Sequence, residues 1–65
     1  MGIEIKIARI RKGITQEELA RSAGITRYYL SSLENGKAKN PSVELMKKIA
    51  KKLEMTVGEL FFDEN

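Results

Sequence analysis

The sequence predicts an all-α fold of five short helices, and three observations support this prediction. Apolar residues recur at helical spacing in nearly every segment of the 65-residue chain. Serine or threonine precedes four of the five segments, where a hydroxyl can accept a hydrogen bond from a backbone N–H at the start of a helix. Glycine follows three of them, where it readily ends a helix.

The first segment is the least clear, because isoleucine alternates with charged residues over residues 3–7, as it would in a strand. A single strand would have no partner in this chain, so we interpret the segment as a helix that ends at Gly13. Helical spacing then predicts two apolar faces, one with Ile5 and Ala8 and the other with Ile3, Ile7 and Ile10.

The second helix is predicted at about residues 16–23. Thr15 occupies its N-cap position, and Glu18, three residues later, predicts a capping box. Gly24 follows the last residue with helical spacing, in a position where a left-handed conformation favours glycine. Thr26 then caps the next helix.

The third helix is predicted at about residues 27–34, with Leu30 and Leu33 on its buried side and Ile25 in the turn before it. Ala20 is small, as is required where two helices cross steeply. This spacing over residues 15–36 is typical of a helix-turn-helix motif, whose second helix enters the major groove of DNA. The alternative is an ordinary helical hairpin in a small bundle.

Two more helices complete the prediction. Residues 35–36, Asn-Gly, end the third helix, and a basic loop at 37–40 follows. Ser42 opens the fourth helix, and Thr56 with Glu59 predicts a capping box for a short fifth helix. The fourth helix has an apolar stripe, predicted to face the core, of Val43, Met46, Ile49, Ala50 and Leu53, and the fifth helix carries Val57, Leu60 and Phe61.

The composition limits the classes of function. The chain has neither cysteine nor histidine, so it lacks the commonest general base and the usual zinc ligands, and we expect no enzyme, metal site or cofactor. It contains no long apolar run and no visible signal peptide. We therefore expect one domain over residues 1–65 that is soluble and cytoplasmic, with no membrane contact and no evident small-molecule ligand.

Charge is distributed unevenly along the chain. Residues 1–39 contain eight basic and four acidic side chains, whereas residues 54–65 contain four acidic side chains and no basic one. A positive body with a negative end suits a surface that binds a polyanion and faces away from the C-terminal residues. A solvated surface of lysine and glutamate is the alternative.

The chain resembles the lambda-repressor/Cro-type, or Xre, family of helix-turn-helix proteins over about residues 5–62. This resemblance implies a compact, lambda-repressor-like DNA-binding domain of a transcriptional regulator that binds a pseudo-palindromic site as a dimer. The matching elements are Arg9, Gly13, TQEELA at 15–20, Gly24, LxxLENG at 30–36, NPS at 40–42, KIA at 48–50 and VGELF at 57–61.

The resemblance places Arg27, Tyr28 and Ser32 against base edges in the major groove. Arginine donates two hydrogen bonds to guanine, a tyrosine ring can touch a thymine methyl group, and serine can bond almost any base edge. A solvated surface arginine is the alternative for Arg27. We expect Tyr29 to turn partly inward, because it lies four residues before Leu33.

It also places phosphate contacts at Gln16, Asn35, Lys37 and Lys39, since amides, ammonium groups and helix N-termini bind phosphate without sequence preference. Gln16 has an alternative role as a good helix former. Asn35 has one as a left-handed helix stop, and it could serve both roles.

Two further pairings are expected. Relatives pair an arginine in the first helix with a glutamate at the end of the third, which implies a partly buried ion pair between Arg9 and Glu34. The run Leu60, Phe61 and Phe62 predicts a homodimer contact, because one of the rings, Phe62, is expected to stay outside the core. The outer isoleucine face of the first helix is the second choice for that contact.

The same DNA chemistry would serve an antitoxin or a restriction-system controller. A third hypothesis is a helical module that binds only protein. It is disfavoured because one predicted face groups Gln16, Arg27, Asn35 and the lysine loop.

Overall fold

The computed structural model describes residues 2–38 and 40–62, and within them the chain forms five α-helices and no strand. The predicted fold class and all five helices are therefore confirmed. The helices are α1 (Ile3–Arg11), α2 (Gln16–Ala23), α3 (Arg27–Glu34), α4 (Val43–Leu53) and α5 (Val57–Phe61).

Hydroxyl side chains cap four of these helices. The Thr15 hydroxyl accepts a hydrogen bond from the Glu18 backbone N–H at 3.0 Å, and Thr26 accepts one from Tyr29 at the same distance. Ser42 caps α4 in the same manner. The predicted capping box at Thr15 is only half formed, since within the described residues no bond returns from the Glu18 carboxylate. The predicted box at Thr56 is complete.

The turn between α2 and α3 takes the predicted form. Gly24 is left-handed, with φ 73°, and the Ile25 N–H donates to the Ala20 carbonyl at 3.0 Å. The end of α3 corrects the alternative role suggested for Asn35. Its backbone is right-handed, with φ −87°, and the left-handed residue is Gly36, with φ 77°. Glycine takes this conformation because it has no Cβ.

The five helices enclose one apolar core, which α2 forms with α3 and α4 while α1 packs on α3 and α5. Val43 was predicted to be buried but is 60% exposed, and Leu45 packs partly against the core instead. Periodicity misassigned Val43 because helical spacing alone does not show which positions of α4 the other helices cover. The largest fully buried side chains are Ile5, Leu19, Leu30, Leu33, Ile49 and Leu60.

Both predicted faces of α1 exist, but only one is covered. Ile5 and Ala8 belong to the core, whereas Ile3, Ile7 and Ile10 are 52%, 44% and 58% exposed. Among the described residues, no helix is long and apolar enough to span a membrane.

Candidate nucleic-acid interface

The outer face of α3 presents polar and aromatic side chains to solvent. Arg27 and Tyr28 are exposed, Tyr28 by 83%, and Ser32 is half-buried. These three residues were predicted to contact bases. Tyr28 and Ser32, four residues apart, share one face of the helix, and Arg27 stands at its first position. Tyr29 is partly buried against the core, as predicted. The adjacent tyrosines are thus divided between solvent and core.

The ion pair predicted between Arg9 and Glu34 is present and buried. The Arg9 Nε donates to Glu34 Oε2 at 2.7 Å, and Arg9 Nη2 donates to Oε1 at 3.3 Å. Arg9 Nη1 also donates to the Ile14 carbonyl at 2.9 Å. The two side chains are 11% and 1% exposed. This planar two-point pairing links α1 to the C-terminal end of α3 and limits their relative rotation.

Gln16 joins this pair, a contact that the sequence did not reveal. Its side-chain amide Nε2 donates to Glu34 Oε1 at 2.9 Å, so the first residue of α2 is tied to the last residue of α3. Local patterns carry no signal for such a contact, because the two residues are 18 positions apart. An amide has two N–H donors, so one remains available for a ligand.

The start of α2 and the start of α3 border the same open cleft. Arg9, Thr15, Gln16, Glu17 and Arg27 line it. The structure therefore brings a residue predicted to bind phosphate, Gln16, close to one predicted to bind a base, Arg27.

The segment after α3 is held by backbone hydrogen bonds. The Lys37 and Ala38 N–H groups both donate to the Ser32 carbonyl, at 2.9 and 3.1 Å. Asn35 and Lys37 are exposed, within the first three residues after α3. Lys39, the other predicted phosphate contact in this loop, lies outside the described residues.

The three residues predicted to form a dimer contact differ in exposure. Leu60 and Phe61 are 1% and 5% exposed in the core of the chain itself, so their side chains do not offer surface to a second copy. Phe62 is 55% exposed, as expected for one ring of the run. Phe62 borders a groove that Pro41, Met46 and Phe61 also line.

Three lysines of α4 line a different groove, and of these Lys48 and Lys51 are exposed whereas Lys52 is half-buried. The same groove also contains Lys12 and Glu54. The Lys12 Nζ lies 2.8 Å from Glu54 Oε1, and this hydrogen bond, together with the lysine charge, lowers the pKa of the Glu54 carboxyl below its usual value. Within residues 2–38 and 40–62, no group of three or more acidic side chains could hold a metal ion.

Comparison with known proteins gives consistent matches. A helix-turn-helix family model matches residues 5–60. The HTH-type transcriptional regulators SlrR and SinR of Bacillus subtilis are 41% and 38% identical over 61 and 60 residues, which cover 94% and 92% of this chain. A crystal structure of SinR, the master regulator for biofilm formation, in complex with DNA superimposes with a TM-score of 0.86 at 38% identity and covers 94% of this chain and 100% of that one.

The shared region is only part of the two curated regulators. The chain spans 40% of the length of SlrR and 54% of the length of SinR. The restriction-modification controller protein C.AhdI from Aeromonas hydrophila is matched over more of its length, with a TM-score of 0.82, 35% identity and coverage of 92% of this chain and 89% of that one.

Proposed function

The chain belongs to the Xre-type helix-turn-helix family, and we propose that it is a transcriptional regulator that binds double-stranded DNA sequence-specifically. The observation that carries this proposal is the exposed face of α3, which adjoins the polar start of α2 and the loop at Asn35 and Lys37. The major groove of B-DNA is about 12 Å wide and admits one α-helix with its side chains. The SinR–DNA complex, similar over 94% of this chain, supports the same use of the fold.

Base recognition is assigned to the outer face of α3. Arg27 donates to guanine O6 and N7, and Tyr28 contacts a thymine methyl group with its ring or a phosphate with its hydroxyl. Ser32, one turn further along the helix, bonds a base edge. The exposure of Arg27 and Tyr28 supports these roles.

Phosphate binding is assigned to residues on either side of α3. Gln16 keeps one amide hydrogen for a phosphate while the other is bonded to Glu34. Asn35, Lys37 and Lys39 bind the backbone after the recognition helix without reading sequence. The bond to Glu34 supports the role of Gln16, because it holds the amide in place before DNA arrives.

We propose that two copies bind together, with Phe62 at the contact, so that two α3 helices meet successive major grooves about 34 Å apart. The proposed activity is binding without catalysis. The proposed place of action of the protein is the cytoplasm, where the DNA of bacteria such as Bacillus subtilis lies.

The experiment is a selection of bound sequences from a random duplex pool, followed by titration of the selected duplex at two salt concentrations. We expect Arg27→Ala to lose preference at one base position in each half-site, at a cost of about 1–3 kcal/mol on the selected sequence. Arg21→Ala removes another exposed arginine, in the last turn of α2, and is the matched control. An equal loss on all duplexes would make Arg27 a phosphate contact, and no binding to any duplex would favour a module that binds only protein.

A further inference from the structure

Gly2 lies directly against the C-terminal end of the recognition helix. It is buried, and its backbone has φ 109°, which residues with a side chain rarely adopt. A Cβ atom built on Gly2 would lie 2.6 Å from the Leu33 carbonyl oxygen, 3.1 Å from the Glu34 carbonyl oxygen and 3.2 Å from the Gly36 nitrogen. All three atoms are backbone, so no side chain can rotate away to make room.

The same glycine also begins α1. Its carbonyl oxygen accepts hydrogen bonds from the N–H groups of Ile5 and Lys6, at 3.0 and 3.4 Å. Gly2 is therefore fixed to the first turn of α1 on one side and abuts the last turn of α3 on the other. Its conformation and its lack of a side chain together permit this close approach.

We infer that Gly2 is a positioning residue for DNA recognition, one that sets where the end of α3 and the following phosphate-binding segment lie. The inference rests on the proposed function. Arg9 ties α1 to α3 at the Glu34 carboxylate. The bonds from Arg9 and Gln16 both hold α3 through the Glu34 side chain. The contact at Gly2 is made instead with the backbone of Leu33, Glu34 and Gly36, and it therefore sets where the chain leaves α3.

A methyl group at residue 2 would displace this segment by a predictable amount. The Leu33 carbonyl oxygen would have to retreat about 0.8 Å to reach an ordinary van der Waals distance of 3.4 Å from the new Cβ. Binding sites tolerate errors of only about 0.5 Å in the position of their contacting groups. Asn35, Gly36 and Lys37 lie two to four positions after Leu33, and we expect them to move with it, which weakens their proposed contacts to phosphate.

The test compares Gly2→Ala with Gly13→Ala. Gly13 also has a positive φ, 72°, and follows the other end of α1, but apart from its two chain neighbours no described residue has an atom within 4 Å of a Cβ built there. Both variants carry backbone strain, and only Gly2→Ala pushes on α3. Affinity for the selected duplex is measured at a temperature where each chain is folded, and amide chemical shifts are recorded without DNA.

We expect Gly2→Ala to bind about tenfold more weakly and to shift the amide signals of residues 33–37. We expect Gly13→Ala to bind within about twofold of the original chain and to leave those signals in place. Equal affinities for the two variants, with unchanged signals at 33–37, would overturn the inference. If the original chain binds no duplex, the proposed function fails, and the signals at 33–37 still decide whether Gly2 positions α3.

A measurement on the unmodified chain covers the case in which Gly2→Ala does not fold. DNA bound at α3 is expected to slow amide hydrogen exchange at Ile5 and Lys6, whose N–H groups donate hydrogen bonds to the Gly2 carbonyl. Both residues lie outside the proposed DNA contacts. Exchange at these two amides that is unchanged by bound DNA would overturn the inference, as would the absence of a nuclear Overhauser effect between the Gly2 α-protons and the Gly36 amide proton.

Discussion

The Glu34 side chain connects three helices. It accepts from Arg9 of α1 and from Gln16 of α2 while standing at the end of α3. Removing it leaves the Arg9 guanidinium buried without its counter-charge. We therefore expect Glu34→Ala to lower the free energy of unfolding by about 3–5 kcal/mol, measured by urea denaturation.

The matched control for Glu34→Ala is Glu17→Ala. Glu17 pairs with Arg21 one turn away at 4.0 Å, and both side chains are about three-quarters exposed. Such a pair contributes only about 0.3–0.5 kcal/mol. Equal losses in the two variants would show that the buried pair contributes no more than an ordinary surface pair.

The exposed pair between Lys12 and Glu54 makes a pH-dependent contribution to stability. The lysine lowers the pKa of Glu54 below its ordinary value of 4.5, so the folded state binds this proton more weakly than the unfolded state. The contribution is thus present above pH 4.5 and is lost as the pH falls through the folded-state pKa. We expect Glu54→Gln to lower Tm slightly at neutral pH and to match the original chain in strong acid.

Glu59→Gln is a suitable comparison for Glu54→Gln, because Glu59 is also exposed but bonds to the backbone N–H of Thr56. A glutamine at that position still accepts the bond. If the Tm difference caused by Glu54→Gln were the same at neutral and at strongly acid pH, the ion pair would not be its cause.

At the scale of helices, the sequence predicted what depends on near neighbours. The ends of α2 and α3 agree with the prediction, because Thr15, Gly24 and Thr26 each act within a few residues of their own position. Val43 was misassigned because burial depends on which helices reach the first turn of α4. Gly2 was missed because its partners are more than 30 positions away.

In the candidate site, too, some features could be predicted from the sequence, whereas others depend on how distant parts of the chain meet. The family resemblance assigned Arg27, Tyr28 and Ser32 to the surface that faces bases. In the structure Arg27 and Tyr28 are exposed and Ser32 is half-buried, and their contacts to bases stay a prediction. The bond between Gln16 and Glu34 could not be predicted, because it depends on how the start of α2 meets the end of α3. The resemblance suggested the Arg9–Glu34 pair. The second acceptor of the Arg9 guanidinium, the Ile14 carbonyl, is seen only in the three-dimensional structure.

The segment after α3 carries a prediction about salt. Lys37 is exposed beside α3, and its charge should displace one condensed cation from DNA. We expect Lys37→Ala and Lys39→Ala each to reduce the slope of log affinity against log salt by about one charge, with similar effects on all duplexes. Lys51→Ala, on the exposed face of α4, is the control. Unchanged slopes for both loop variants would remove this segment from the DNA contact.

At the scale of the whole molecule, charge is divided between two parts of the sequence. The basic residues of the first 39 positions include those proposed to meet DNA, and the last 12 positions contain acidic side chains and no basic ones. Phe62 belongs to this acidic end. A contact between two copies there would therefore keep the acidic residues away from phosphates, whereas a contact through the DNA-facing side would compete with binding.

The homodimer is expected to depend on Phe62. Burying a phenylalanine is worth about 1.5–3 kcal/mol, and a two-fold contact buries the ring of each copy. The groove lined by Pro41, Met46 and Phe61 beside it offers apolar surface to the ring of the second copy. We expect the original chain to sediment as a dimer at micromolar concentration, and Phe62→Ser to sediment as a monomer.

Ile7→Ser tests the competing surface, the exposed isoleucine face of α1. Like Phe62→Ser, it replaces an exposed apolar side chain by serine. Ile7 is 44% exposed, against 55% for Phe62, so neither substitution opens the core. If the contact is at Phe62, Ile7→Ser still forms the dimer. If Phe62→Ser dimerises normally and Ile7→Ser does not, the contact lies on α1. The distance between the two recognition helices is then set by a contact through α1 and not by one at the end of α5. An original chain that remains monomeric well above micromolar concentration would contradict both arrangements in free solution.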